Sequence, residues 1–323
     1  MILVGDVGGT NTRLARARPV GDGYDLDAIA IYPSTSAPAF EPILRRYLDE
    51  FPGEIRAAGF GFPGPVKDFA VRTLNIPWLV DGRELERSLG VPVVLCNDLE
   101  AAAHGLLVLD EGATETLREG TGTGGNRALI APGTGLGEGM LVGADGVWTA
   151  VASEGGHCDF APRDAEEMEL WTFLRARFGR VSYERIVSGP GLVNLYDFYA
   201  ARLGVREPPW EEGHDPAAAV TRAAIDGTCA ACVRALDRFC SVYGAEAGNI
   251  ALKVLALGGV YLAGGITPKI LPVLKQSRFF EAFDDKGRYR GLMQEMPLRA
   301  VLDPNLALRG AARAAVVGRR VRP

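Results

Sequence analysis

Short apolar runs alternate with glycine-rich breaks along the chain, and the breaks recur in related settings. Met1 to Val4 is apolar and ends in Gly5-Asp6-Val7-Gly8-Gly9-Thr10-Asn11-Thr12; a mixed apolar run, Arg13 to Ala17, follows. Strand, glycine-rich turn, strand is the simplest reading. In Pro42 to Glu50 the residues Ile43, Leu44, Tyr47 and Leu48 form one apolar face at helical spacing. Ala57 to Phe62 predicts a buried strand closed by Pro63-Gly64-Pro65. Pro92 to Cys96 predicts another strand, feeding through Asn97-Asp98 into an alanine-rich helix, Leu99 to Leu107. Strands and helices alternate, which points to an α/β fold.

Glu111 to Asn126 is polar and rich in Gly and Thr, so it predicts a surface excursion with a domain boundary just before it. Ala128 to Gly143 is apolar but broken by Pro132-Gly133-Thr134-Gly135-Leu136-Gly137, again strand, turn, strand. The two modules point to a degenerate internal duplication. Asp164 with Glu167 resembles a capping box opening a helix through Phe178. Helical patterns follow from Pro190 to Leu203 and from Pro216 to Tyr243. Gly258 to Ala263 predicts a strand that ends in Gly264-Gly265, before a helix starting near Pro268. Leu298 to Leu302 predicts a last strand, and Asn305 to Gly318 a C-terminal helix.

Length and charge narrow the partners. The chain has 323 residues, enough for two domains at roughly 150 residues each and for a sizeable core without disulfides. Its net charge of −5 gives no electrostatic case for a nucleic-acid partner. Cys96, Cys158, Cys229, Cys232 and Cys240 are an odd, sparse set that fits a reducing cytosol. Asp6 interrupts the first apolar run and no basic segment precedes it, so a signal peptide is not expected. The longest uncharged apolar run, Val254 to Ile266, is shorter than the ~18–20 residues of a membrane helix. It reads as a buried strand with flanking turns, so no membrane partner is expected.

Glycines let a backbone approach an anion and turn its N–H groups towards it. Gly8 and Gly9 offer that, with Thr10, Asn11 and Thr12 as side-chain donors. Asp6 would repel phosphate and makes sense as an outer ligand of Mg²⁺. A tight hairpin with no ligand is the alternative. The turn is neither a Walker A loop nor a dinucleotide fingerprint. Gly133-Thr134-Gly135 repeats the device, and two such loops suggest a polyphosphate gripped from two sides. Gly264-Gly265 at a strand end would leave room for a flat base or ribose, or would serve close helix–strand packing. Asn97 and Asp98 at a strand-to-helix junction read first as helix caps, although that placement also suits a general base. Glu154 and His157, separated by two glycines, can converge on one small polar ligand such as a sugar. Cys229 and Cys232 fall within a helical pattern and predict thiols on one helix face with Val233 and Leu236. A zinc site at His157-Cys158 is not expected, because no second cysteine or histidine lies at ligand spacing. His104 and His214 read as structural or surface residues.

The order of these clusters resembles the bacterial glucokinase family, in the sugar-kinase branch of the actin-like ATPase (ribonuclease H-like) fold. The resemblance covers essentially the whole chain. It is carried by Gly5-Asp6-Val7-Gly8-Gly9-Thr10-Asn11, Asn97-Asp98 and Gly133-Thr134-Gly135-Leu136-Gly137, by Glu154-Gly155-Gly156-His157-Cys158-Asp159-Phe160-Ala161-Pro162, by Glu184-Arg185-Ile186-Val187-Ser188-Gly189-Pro190-Gly191-Leu192, and by Ala263-Gly264-Gly265-Ile266. The two longest strings are the most specific.

This resemblance implies a two-domain enzyme with an inter-domain cleft: a small α/β domain of residues 1–108 plus 302–323, and a large one of residues 109–301. It implies transfer of the γ-phosphate of ATP to the 6-hydroxyl of glucose, with Mg²⁺, in a cytoplasmic homodimer. Asp98 would be the general base. Asn97, Glu154, His157 and Glu184 would bind the other sugar hydroxyls. Gly5 to Asn11 and Gly133 to Gly135 would hold phosphates, with Gly264 and Gly265 beside the adenosine. No dedicated protein metal site is implied, and Cys158 stands without the cysteine-rich zinc motif of related repressors. Those repressors also carry an N-terminal helix-turn-helix domain, whereas this chain starts at its first strand. Arg309 occupies a normally small position. Alternatives are another hexose, another phosphate donor, or a non-catalytic sugar sensor; the last would be expected to have lost Asp98 or a phosphate loop.

Overall fold

Two sheets carry most of the strands, and one strand order builds both. The computed structural model describes residues 1–73, 76–110, 112–122, 124–144 and 146–321. Glu111 and Thr123, in the expected surface excursion, and Arg322 and Pro323, at the end of the expected small domain, lie outside the described residues.

In the first sheet the order is Gly23–Pro33, Asn11–Val20, Ile2–Val7, Ala57–Phe62, Val93–Asn97. Ile2–Val7 pairs antiparallel with Asn11–Val20 and parallel with Ala57–Phe62, which pairs parallel with Val93–Asn97. The second sheet runs Val147–Ser153, Leu136–Ala144, Arg127–Pro132, Val260–Leu262, Leu298–Val301, Thr114–Arg118. There Arg127–Pro132 pairs antiparallel with Leu136–Ala144 and parallel with Val260–Leu262, which pairs parallel with Leu298–Val301. The first strand of each glycine-turn hairpin is therefore central in its sheet, as a duplication requires. The edge strand Thr114–Arg118 lies inside the stretch expected to be a surface excursion. It forms because Leu117 packs on the core while its neighbours continue the ladder.

The helix expected from Pro42 begins at Phe40 and buries Phe40, Ile43, Leu44 and Tyr47. Phe40 meets Phe60 and Phe62 edge-on, with ring centroids 5.1 Å apart in both pairs. A small sheet of Val66–Lys67, Ala70–Arg72 and Leu79–Asp81 adds Val71, Trp78 and Val80 to this core. Its strands are too short to show a periodicity in sequence.

The C-terminal helix, Leu306–Val321, returns to the first sheet, where Leu308, Ala311, Ala312 and Ala315 pack with Ile2, Val4, Ala15 and Ala17. It also crosses the helix Asp98–Gly105 at backbone contact. A Cβ on Gly310 would overlap the Ala101 carbonyl, and one on Gly105 would overlap that of Leu306. Arg309 stays out of this seam. Its guanidinium reaches Asp303 (2.6 Å), Asp110 (3.0 Å) and the Tyr24 carbonyl.

The helices Ala165–Phe178, Gly189–Leu203, Pro216–Ile225 and Ala230–Val254 pack around the second sheet. The single helix expected from Pro216 to Tyr243 is two. The chain breaks at residues 226–229, where Gly227 takes a left-handed φ of 67°. Cys229 is consequently a helix cap, its Sγ accepting from the Cys232 N–H (3.4 Å). The expected shared face does not form, since Leu236 is buried and Val233 exposed. Among the described residues no helix is long and apolar enough to cross a membrane.

Candidate active site

The carboxyl ends of Ile2–Val7 and Val93–Asn97 are separated by one strand in the first sheet. The Asp6 turn and Asp98 thus share one rim, a common ligand position in α/β folds. The second sheet reaches that rim through glycines. A Cβ on Gly137 would lie 2.7 Å from the Leu99 side chain, and one on Gly139 would lie 3.0 Å from the Leu99 carbonyl. Helix Asp98–Gly105 therefore lies directly on strand Leu136–Ala144. Asp98 comes close enough to Asp6 and Glu154 to feel both charges.

Asn97 and Asp98 divide the work at the junction. Asn97 is the cap: its Oδ1 accepts from the N–H groups of Leu99 (2.9 Å) and Glu100 (3.3 Å). The Glu100 carboxylate accepts from the Asn97 N–H (3.3 Å), completing a capping box. Asn97 Nδ2 donates to the Gly64 carbonyl (3.3 Å), leaving one N–H of its amide for a ligand. Asp98 is the first helical residue; its Oδ1 shares the Leu99 N–H (2.9 Å), but it stands outside the capping box. Burial, then the charges of Asp6 and Glu154, raise its pKa to about 7, against the pull of the Leu99 N–H. Burial also raises Asp6, with Arg13 opposing.

The first glycine turn is fixed from outside. Ser34 Oγ donates to the Gly8 carbonyl (2.7 Å) and contacts buried Thr12 Oγ1 (3.0 Å). The Ser34 N–H bonds the Thr10 carbonyl (2.9 Å), and Gly8 N–H the Asn11 carbonyl (2.8 Å). Thr10 and Asn11 are left exposed at the rim, and Val7 faces the core. Gly5 has a packing role, because a Cβ there would lie 2.7 Å from Phe60.

The second turn is interlocked with Glu184. Glu184 Oε2 accepts from the Leu136 N–H (3.0 Å) and occupies the space a Gly135 side chain would need. Its Oε1 lies 3.8 Å from His157 Nδ1. Gly133 accepts from the Gly189 N–H (2.8 Å), where Ser188 caps the helix Gly189–Leu203. Thr134 lies between these anchored glycines. Gly264, at φ 78°, sits against the Pro132 carbonyl, so its turn adjoins the Gly133 turn. Nothing lies within 4 Å of a Cβ built on Gly265 or on Gly133. Gly155 and Gly156 bring the Glu154–His157 turn onto strand Leu136–Ala144, where added Cβ atoms would overlap Glu138 and the Leu136 carbonyl.

Asp6, Asp98 and Glu154 thus form one electrostatic group, and His157 meets Glu184. A carboxylate titrating near neutrality stands beside backbone turns suited to phosphates and side chains suited to hydroxyls. Ser34 and Glu138 belong to none of the motifs read from the sequence. Glu138 could have been found as the one charge in Leu136–Ala144, an otherwise small and apolar strand. His104 is structural: it is buried, its Nδ1 lies 2.8 Å from Arg313, and burial and Arg313 lower its pKa to about 4.

Residues 3–317 match the family model described as Glucokinase. A curated glucokinase of Trichormus variabilis is 37% identical, over 97% of this chain and 98% of the relative. The crystal structure of a glucokinase from an Antarctic psychrotroph is 31% identical with a TM-score of 0.83, covering 98% of both chains. A ROK family glucokinase from Streptomyces griseus, solved with glucose and AMPPNP, has a TM-score of 0.68 at 21% identity, covering 98% of this chain and 99% of that one. The architecture is accordingly the actin-like ATPase fold of sugar kinases.

Proposed function

The chain belongs to the glucokinase family, and on that premise we propose that it transfers the γ-phosphoryl group of ATP to the 6-hydroxyl of D-glucose. The observation that carries the assignment is Asp98: a carboxylate at a helix start, outside the capping box of Asn97 and Glu100 and held near neutral pKa between the two sheets. A base must reach the hydroxyl it deprotonates and be ionised at working pH. Asp98 meets the second need from about pH 7 upward.

Glu154, His157, Glu184 and the remaining Asn97 N–H bind the other hydroxyls. The turns Gly5–Asn11 and Gly133–Gly135 orient the phosphates through backbone N–H groups, and open Gly265 with Gly264 borders the adenosine. ATP as donor is supported by the AMPPNP held in the Streptomyces griseus relative. Asp6 fits an outer-ligand role for Mg²⁺: it is a carboxylate whose charge opposes that of Asp98, and a cation held near it would offset that repulsion. Bound with the nucleotide, Mg²⁺ supplies charge neutralisation at the phosphates.

We place residues 1–108 and 302–323 in a small domain, supported by the return of helix Leu306–Val321 to the first sheet, and residues 109–301 in a large one. Closure of the two would exclude water from the transfer. Five free cysteines suit the reducing cytoplasm, and the homodimer follows the family resemblance.

The test is ADP release with Mg-ATP across glucose, mannose, fructose, N-acetylglucosamine and no sugar. Release confined to glucose is expected. Equal release without sugar, or release with a different hexose alone, would contradict the assignment.

A further inference from the structure

We propose that Glu138 and Glu246 share one proton, and that this carboxyl pair is a positioning device holding both sugar-contact turns in register. The inference rests on the sugar-kinase reading above and deepens it.

Glu138 is 1% exposed and Glu246 0% exposed. The Glu138 carboxyl lies against Gly155, in the turn that carries Glu154 and His157. Among the described residues, Glu138 Oε1 and Glu246 Oε1 are buried without a hydrogen-bond partner. Helix Ala230–Val254 packs on strand Leu136–Ala144 and brings the two side chains within hydrogen-bond reach of each other, and two ionised carboxylates cannot be held so in such surroundings. A single proton between them gives both oxygens a partner. Burial and Glu246 accordingly push the Glu138 carboxyl up to about 8, and burial also raises Glu246.

The groups facing the pair come from the helix of Glu246 itself and from two further places. Glu246 Oε2 accepts from Asn249 Nδ2 (2.8 Å), which also lies 3.1 Å from the Tyr183 hydroxyl. Lys253 Nζ is 3.8 Å from Glu246 Oε1. Lys286 Nζ donates to Asn249 Oδ1 (2.8 Å) and the Ala245 carbonyl (3.0 Å), and burial lowers it to about 8. Tyr183 opens the turn Tyr183–Arg185 that carries Glu184. A continuous polar path therefore runs from Gly155 through Glu138, Glu246 and Asn249 to Tyr183. Loss of the shared proton would place two like charges under that path and shift the turns that hold the sugar, leaving the Asp6 turn, on the other sheet, alone.

The test follows the glucose KM, the ATP KM and kcat from about pH 6.5 to about 9.5 in the wild type, Glu138→Gln and Glu246→Gln. The wild-type glucose KM is expected to rise above pH 8, by up to about tenfold per pH unit, with the ATP KM changing less. In Glu138→Gln the amide donates in place of the proton. Its glucose KM should match the wild type at pH 7 and stay flat at high pH. Lys286 titrates in both proteins, so the difference isolates Glu138. A flat wild-type profile, a variant profile parallel to it, or an ATP KM that moves as much as the glucose KM would overturn the proposal. If Glu138→Gln does not fold, Glu246→Gln supplies the amide from the other side and is read the same way.

Absence of glucose-dependent ADP release in the wild type would instead refute the kinase reading, and thermal unfolding would still decide the pair. A carboxyl raised to about 8 in the folded state contributes stability that is full below pH ~4.5 and is lost as pH rises towards 8. Glu138→Gln should flatten that fall; an unchanged pH slope would overturn the proposal.

Discussion

Glycines on the two sides of the site, one from each large sheet, serve different ends. At the Asp6 turn a Cβ on Gly8 would meet only the Asn11 carbonyl, at 3.2 Å, and Ser34 fixes the turn from behind. On the second-sheet side, Gly135, Gly155 and Gly156 have their side-chain space filled by Glu184, Glu138 and the Leu136 carbonyl. The first arrangement leaves backbone free for a ligand. The second lets the protein approach itself, so that Glu154, His157 and Glu184 converge. Changes on the first-sheet rim should therefore alter rate with little loss of stability, whereas changes at Gly155 or Gly156 should alter stability and sugar affinity together.

The largest break in this comparison is Asp98→Asn. Turnover should fall about 10²–10⁴-fold if Asp98 is the base. Stability should move the other way. The folded-state pKa of Asp98 is raised to about 7 from 3.8, so its ionisation removes stability as pH rises through that window. Asn carries no such charge, and thermal melts at pH 8 should show the variant more stable, by at most about 4 kcal/mol.

Gly156→Ala attacks the opposite side. Its Cβ would overlap a backbone carbonyl rather than a flexible side chain, so a destabilisation of about 1–3 kcal/mol is expected in urea, with a higher glucose KM. Asn97→Ser sharpens the boundary between the two sides. A serine can still cap the helix, so stability should stay within about 1 kcal/mol, while loss of the Nδ2 donor should raise the glucose KM and spare the ATP KM. The smallest effect is Gly133→Ala, where the added methyl meets open space. The fold should change by less than about 0.5 kcal/mol. Any kinetic change should appear in the ATP KM.

How much of this was legible in the sequence depended on how local the signal was. The paired glycine turns and their flanking apolar runs gave the duplicated hairpins, because strand and turn chemistry are both short-range. The break at residues 226–229 was hidden by a run of alanines that suits helix on either side, although Gly227 marks it. Asn97-Asp98 offered two caps in a row. Only the backbone shows that Asn97 takes the role and that Glu100 answers it. Glu138 and Glu246 escaped notice because each is one charge among small residues from distant segments. Their pairing is a tertiary fact, yet Glu246 lies inside a helix buried almost continuously from Ala235 to Gly248. Glu246 is the one charged residue between Arg238 and Lys253, and that isolation in an apolar stretch is the available hint.

Titration of glucose into Asp98→Asn by calorimetry tests the central claim most directly. If the first-sheet rim supplies the base and the second-sheet turns supply much of the sugar affinity, glucose should bind within about threefold of wild type while turnover is lost. Loss of glucose binding in step with turnover would contradict the account and make Asp98 a binding residue first.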